Sequence, residues 1–272
     1  MLRPPHGERF VVLNGADGAW KQPQQAILFL LQGRAFDAVV TLEGFNEFLA
    51  IQGSGRLELP ANNFLEVNPI ASRGYRSLLA AWASSRVQEW VRENAIARHS
   101  FAARLLADRV RRSFRKAARM SRKRRTTIEG IFSFPPSTSV EERYRANMAS
   151  YRWYVRAIRA LAALTGTRSA FFIQPVPAIA KKLTAEERRV VGDLEYGEAY
   201  RRMARELLSL RDEGVQVFSL LNLFEDVRGT VYADPIHLVR ESKGESPGHR
   251  LMASAVARDL GTAWGWRRNC SP

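Results

Sequence analysis

Cysteine is almost absent: Cys270, near the carboxyl terminus, is the single one in 272 residues, so no internal disulfide can form and no cysteine-based metal site can be built. Histidine is nearly as scarce. None of the four, His6, His99, His237 and His249, pairs with another at ligand spacing, and no metal and no cofactor are expected. Long apolar runs are missing as well. The most apolar early stretch, AILFLLQ at 26–32, is far too short to cross a bilayer, and MLRPPHGERF has no apolar core of signal-peptide length. The chain as written is therefore expected to be soluble, with its compartment open. Acidic residues are outnumbered 27 to 42 by Lys and Arg, which gives a net charge of +15 and a pI near 10.8. Such a balance favours polyanionic partners, whether phospholipid surface, acidic polysaccharide or nucleic acid, and carries no information about chemistry. No repeat of solenoid length is present.

Enough is left to build a core. At 46% hydrophobic, the chain can bury one large core or two small ones, and one α/β domain over 1–272 with an insertion is expected. Short β-rich runs at Arg9–Leu13, Phe36–Leu42, Ser169–Gln174 and Val215–Leu220 alternate with helical stretches at 22–33, Val140–Leu164 and Ala185–Arg211, and a last helix is predicted over Pro247–Leu260. Strands this uniformly apolar, separated by helices, argue for a parallel sheet covered on both faces. Sites in such sheets lie at the carboxyl ends of the strands. Residues 54–80, rich in Gly, Pro and Asn, read as a long surface connection, and 81–125 as a helical insertion.

Three short segments carry polar groups where a site would be. Asp234-Pro-Ile-His237 sets a carboxylate and an imidazole on one rigid turn; the same pattern also suits a helix cap by Asp234 with His237 a bystander. Gly44-Phe45-Asn46-Glu47 ends an apolar strand, and Asn46 either donates its amide to an oxyanion or closes an Asx turn. Asn14-Gly15-Ala16-Asp17-Gly18 exposes backbone N–H groups suited to an oxyanion or phosphate, without the third glycine and downstream acid of a dinucleotide site.

In this order and at these strand positions, "VVLNGADGAWKQPQQ", "FDAVVTLEGFNEF" and "VYADPIHL" followed by "GHRLMASAVARDL" resemble the glycine, Gly-x-Asn and Asp-x-x-His blocks of the SGNH hydrolases, the GDSL-type esterases and lipases, in a bacterial branch. The resemblance covers most of the chain. It implies a three-layer α/β/α sandwich around a parallel, flavodoxin-like sheet. It makes His237 the general base, Asp234 its orienting carboxylate, and Asn46 and the Gly18 backbone N–H the oxyanion donors, with Ala19 able to supply the same amide. The family's opening strand, ending in Gly-Asp-Ser with the nucleophile, has no counterpart: MLRPPHGE contains no serine. A frame that starts too late, or a fragment, is the expectation, leaving the protein inactive as given. Ser54 and Ser242 are the other serines considered, and neither follows an apolar strand at a nucleophile-type turn. His6, His99 and His249 read as surface residues.

Between Arg104 and Arg125 eleven basic residues face one acid, Asp108, with Leu106, Val110 and Phe114 at helical spacing. A solvated helix face and an anionic membrane surface are the leading readings. Nucleic acid is disfavoured, because Phe114 is the lone aromatic within the run. The function expected is hydrolysis of a small-molecule, lipid or polysaccharide ester. The alternatives are O-acetyl transfer on a polysaccharide, or a non-catalytic module that holds an anionic surface.

Overall fold

The computed structural model describes residues 2–3, 10–16, 20–53, 90–91, 94, 100, 105, 109, 134–135, 137–240 and 246–268. The chain divides into two compact units, 1–54 together with 138–272, and 55–137. The stretch expected as an insertion, 81–125, lies within the second. There Trp90, Val91, Leu105 and Arg109 are helical, the last two being the described residues of the basic stretch.

The first unit holds β1 (Leu2–Arg3), α1 (Gln24–Gln32), β2 (Ala38–Glu43), α2 (Phe45–Gly53), α3 (Val140–Thr165), β3 (Arg168–Ile173), α4 (Ala185–Val190), α5 (Gly197–Leu208), β4 (Val217–Ser219), α6 (Pro247–Trp264) and β5 (Arg267–Arg268). Its main sheet is small and parallel, in the order β2-β3-β4, with Val40 beside Ala170, Leu42 beside Phe172, and Phe172 beside Phe218. β1 and β5 pair separately as an antiparallel ribbon. The α/β architecture expected from the alternating pattern is present.

Side chains alternate across a strand, so β3 feeds two cores. Phe171 and Ile173 join Phe45 and Phe48 of α2, Tyr151, Val155 and Ile158 of α3, and Met203 and Leu207 of α5. Ala170 and Phe172 face the other way, onto Ala255 and Leu260 of α6. Residues 144, 148, 151, 155, 158 and 162 of α3 are all buried, spaced by three and four as one face of a helix requires. The ends of α3 are written locally. Ser139 and Glu142 form a reciprocal capping box, and Gly166 takes the left-handed conformation at φ 71° that closes the helix.

Two sequence expectations fail. The run Arg9–Leu13 was expected as a strand; Phe10–Leu13 has no regular structure, with Val11 84% and Val12 87% exposed. The cause is the lack of a neighbour: a β-prone segment needs a strand beside it to satisfy its backbone, and β2 is paired only with β3 among the described residues. The helix expected over Ala185–Arg211 is broken into α4 and α5, followed by a 3₁₀ turn over Ser209–Glu213. Gly192, at φ 71°, interrupts the ladder.

Candidate active site

Residues 231–239 form a tight antiparallel loop. Ala233 N–H donates to the His237 carbonyl and Val239 N–H to the Val231 carbonyl, each at 2.8 Å, and Tyr232 bridges Leu238. Asp234-Pro-Ile-His237 is its tip. Asp234 Oδ1 accepts the backbone N–H groups of Ile236 at 2.9 Å and His237 at 2.7 Å, and Pro235, between Asp234 and Ile236, has no N–H to satisfy. The other oxygen, Oδ2, lies 2.7 Å from His237 Nδ1. No helix starts here, so Asp234 is not a helix cap and His237 is not a bystander: one carboxylate closes the turn and contacts the ring.

The ring is presented rather than packed away. The His237 side chain is 72% exposed, and its Nε2 has no hydrogen-bond partner among the described residues. Ile236, beside it, packs onto the main core and anchors the tip. Burial pushes the Asp234 carboxyl up, but the N–H groups of His237 and Ile236 and the imidazole outweigh it and hold the group below its usual range. An ionised Asp234 at neutral pH fixes the proton of a neutral imidazole on Nδ1, which leaves Nε2 as the basic atom.

At the carboxyl end of β2 the chain turns through Gly44, at φ 129°, where a Cβ would overlap the Tyr200 hydroxyl. No other residue type fits there. Asn46 follows in the first turn of α2, half-buried, and its Nδ2 donates one hydrogen to the Trp20 carbonyl at 2.8 Å. An amide nitrogen carries two hydrogens, so one is left to donate. Gly18 and Ala19 lie outside the described residues. The loop's earlier part is described, and there Asn14 Oδ1 accepts Ala16 N–H in an Asx turn.

A buried carboxylate pair underlies this turn. Glu47 Oε2 accepts Gly44 N–H at 2.8 Å and its Oε1 accepts Gln22 N–H at 3.1 Å, which ties the 20–22 segment to the strand end. Glu43 accepts Gln22 Nε2 at 3.0 Å and the Tyr151 hydroxyl at 2.7 Å. Burial, then the negative charge of Glu47, raises the Glu43 carboxyl to about 7, against hydrogen bonds that lower it. Glu47 is raised too, chiefly by burial. Sequence reasoning missed Gln22, Glu43 and Tyr151. The available signal was an acid at each side of Gly44 in an otherwise apolar stretch.

Asn46 and His237 belong to different elements, and no described hydrogen bond joins them. No described serine hydrogen-bonds His237; Ser54, Ser242, His6 and His99 lie outside the described residues. Ser246 Oγ lies 2.5 Å from His249 Nδ1, but Ser246 also accepts His249 N–H as the N-cap of α6, which makes the pair a helix cap. Among the described residues no cluster of three or more His, Cys, Asp or Glu could hold a metal, and no helix is long and apolar enough to cross a membrane. No protein-family model matches the chain, and no curated protein matches it.

Proposed function

We propose that the chain is the larger part of an SGNH-type serine hydrolase acting on carboxylic esters. The observation that carries the reading is the Asp234–His237 pair: a carboxylate fixed by two backbone N–H groups, 2.7 Å from Nδ1 of an exposed imidazole whose Nε2 is unengaged by described residues. In the proposed reaction Nε2 takes the proton of a serine hydroxyl as its oxygen attacks the ester carbonyl. Asp234 stabilises the imidazolium, and Asn46, with a backbone N–H from Gly18 or Ala19, donates to the oxyanion. The imidazolium then protonates the leaving alcohol. Water, deprotonated by the same nitrogen, releases the acid and restores the serine.

The serine would arrive on one more strand. Support for this comes from two features: among the described residues β2 pairs on one side only, and the exposed apolar segment Val11–Leu13 pairs with no strand. Cores on both sides of β3 are what a three-layer, flavodoxin-like sandwich would have. The O-acetyltransferase reading uses the same polar groups and differs in the acceptor alone.

The test is hydrolysis of a short-chain aryl ester by the 272-residue chain beside a version extended upstream through any in-frame strand ending in Gly-x-Ser. Activity in the extended protein alone, abolished by His237→Ala, is the expected result. A folded, extended protein inactive on a broad ester panel sinks the hydrolase reading. A second reading rests on the net charge of +15: a non-catalytic module held on an anionic surface through Arg104–Arg125. Salt-sensitive binding that survives His237→Ala would favour it.

A further inference from the structure

A second carboxylate stands behind the His237 loop. Glu187, in α4, is fully buried, as is the side chain of Lys181, and the two meet at 3.2 Å. Glu187 Oε1 accepts Val231 N–H at 2.7 Å and Tyr232 N–H at 3.0 Å. Its Oε2 accepts Thr184 N–H at 2.8 Å as well as the ammonium. Lys181 spends its remaining hydrogens on the carbonyls of Lys182 and Val227, both at 2.9 Å. Every donor of the lysine is used, and each carboxylate oxygen accepts two.

We infer that Glu187, held by Lys181, is the positioning residue of the His237 loop: it grips the two backbone N–H groups at the loop's root and thereby fixes Asp234 and His237 at its tip.

The role rests on the proposed base function of His237, and the geometry is specific to this loop. Val231 and Tyr232 are the strand residues facing Val239 and Leu238, so an anchor on their amides sets the register from which the Asp234 turn is measured. The Thr230 hydroxyl also reaches the α4 segment, donating to Glu186 at 2.8 Å and lying 3.2 Å from the Thr184 hydroxyl, but it engages a side chain before the root; Val231, Tyr232 and Leu238 themselves are otherwise packed against Val191 and Phe224, which resists separation but leaves sliding open. Directional hydrogen bonds to a charged acceptor supply what that packing lacks. A cap on α4 alone would need only the Thr184 contacts. The outward-reaching Oε1 goes entirely to the loop. Although burial pushes the Glu187 carboxyl up, the N–H groups of Thr184, Val231 and Tyr232, with Lys181, hold it below its usual range, and it stays an acceptor at neutral pH. A neutral amide cannot replace it. Gln would turn an NH₂ donor toward either the ammonium or the backbone N–H groups.

The experiment uses the 272-residue chain, labelled with ¹⁵N, and needs no catalytic activity. In the wild type, His237 is expected to hold one tautomer with a downfield Nδ1–H signal, and the Val231 and Tyr232 amides to exchange at least about a thousandfold more slowly than unstructured ones. Glu187→Gln should average the tautomers and cut that protection by about tenfold or more. Val155→Ala, which opens the core under α3 far along the chain from this loop, should lower Tm while leaving both signals in place. Should Glu187→Gln keep the wild-type tautomer, or Val155→Ala lose it equally, Glu187 is merely structural and the inference is wrong. If Glu187→Gln does not fold, exchange in the wild type decides: fast exchange at 231 and 232 overturns the clamp, and slow exchange supports it. Failure of the ester assay with these signals intact would refute the hydrolase and leave the clamp standing.

Discussion

Asp234 performs two tasks with two oxygens, and a conservative substitution separates them. Asn at 234 keeps a carbonyl oxygen for the Ile236 and His237 N–H groups but offers His237 Nδ1 an NH₂ instead of an acceptor. On the proposed hydrolase reading, Asp234→Asn in an extended protein that cleaves the aryl ester should leave Tm nearly unchanged and lower kcat by about 10³- to 10⁴-fold, read by aryl-ester kinetics beside a melting curve. The acid dependence has a defined sign. Because the folded carboxyl is held below its ordinary 3.8, the support it gives the turn is present above that value and disappears as pH falls through the folded one. Gly44 offers the sharpest contrast. Gly44→Ala places a methyl group on the Tyr200 hydroxyl at a φ of 129°, and chemical denaturation should register a loss of about 3 kcal/mol or more.

Among the elements, the legible ones carried their own punctuation. α3 was expected over Val140–Leu164 and is found over Val140–Thr165, because a capping box opens it, a stripe of buried residues runs along it and Gly166 ends it. Ser139→Ala removes the hydroxyl that accepts Glu142 N–H and should cost about 1 kcal/mol, a few degrees in Tm by calorimetry. Where local signals conflicted, the reading slipped. The stretch from Ala185 to Arg211 is rich in helix formers, which masked the break at Gly192, and the Thr184-x-x-Glu187 capping box is local to α4. Glu187 had a plausible sequence role as the N3 acid of that box. Its second oxygen serves a loop 44 residues away, which no window along the chain can reveal.

At the scale of the whole molecule, the buried Glu43 ties stability to pH. Its carboxyl, raised from 4.5 to about 7, keeps its proton in the fold more readily than in the unfolded chain. The stability it contributes is therefore full below about 4.5 and is lost as pH rises through about 7, a loss on the order of 3 kcal/mol. Glu43→Gln should flatten the melting temperature between pH 5 and 8 and raise it by several degrees at the upper end. Val11 and Val12 stand on an exposed apolar segment with no strand partner among the described residues, close in sequence to Phe10, whose ring meets Trp266 at 4.9 Å. Replacing both with Lys should change stability by less than about 0.5 kcal/mol while reducing concentration-dependent association in sedimentation experiments.

From the sequence alone came the alternation of helices with apolar strands, the extents of α3 and, to within a turn, of α6, and the placing of Asp234 and His237 on one short turn. Each of these is decided within a few residues, by periodicity, capping or a turn three residues long. Tertiary structure alone decided the rest. It left Phe10–Leu13 with no strand partner among the described residues, and a strand exists only beside another strand. It buried Glu43 against Tyr151, 108 residues away, and it placed Glu187 behind the His237 loop. A buried carboxylate is tolerable only where donors converge on it, and those donors are brought together by the folded chain rather than by neighbouring positions in the sequence.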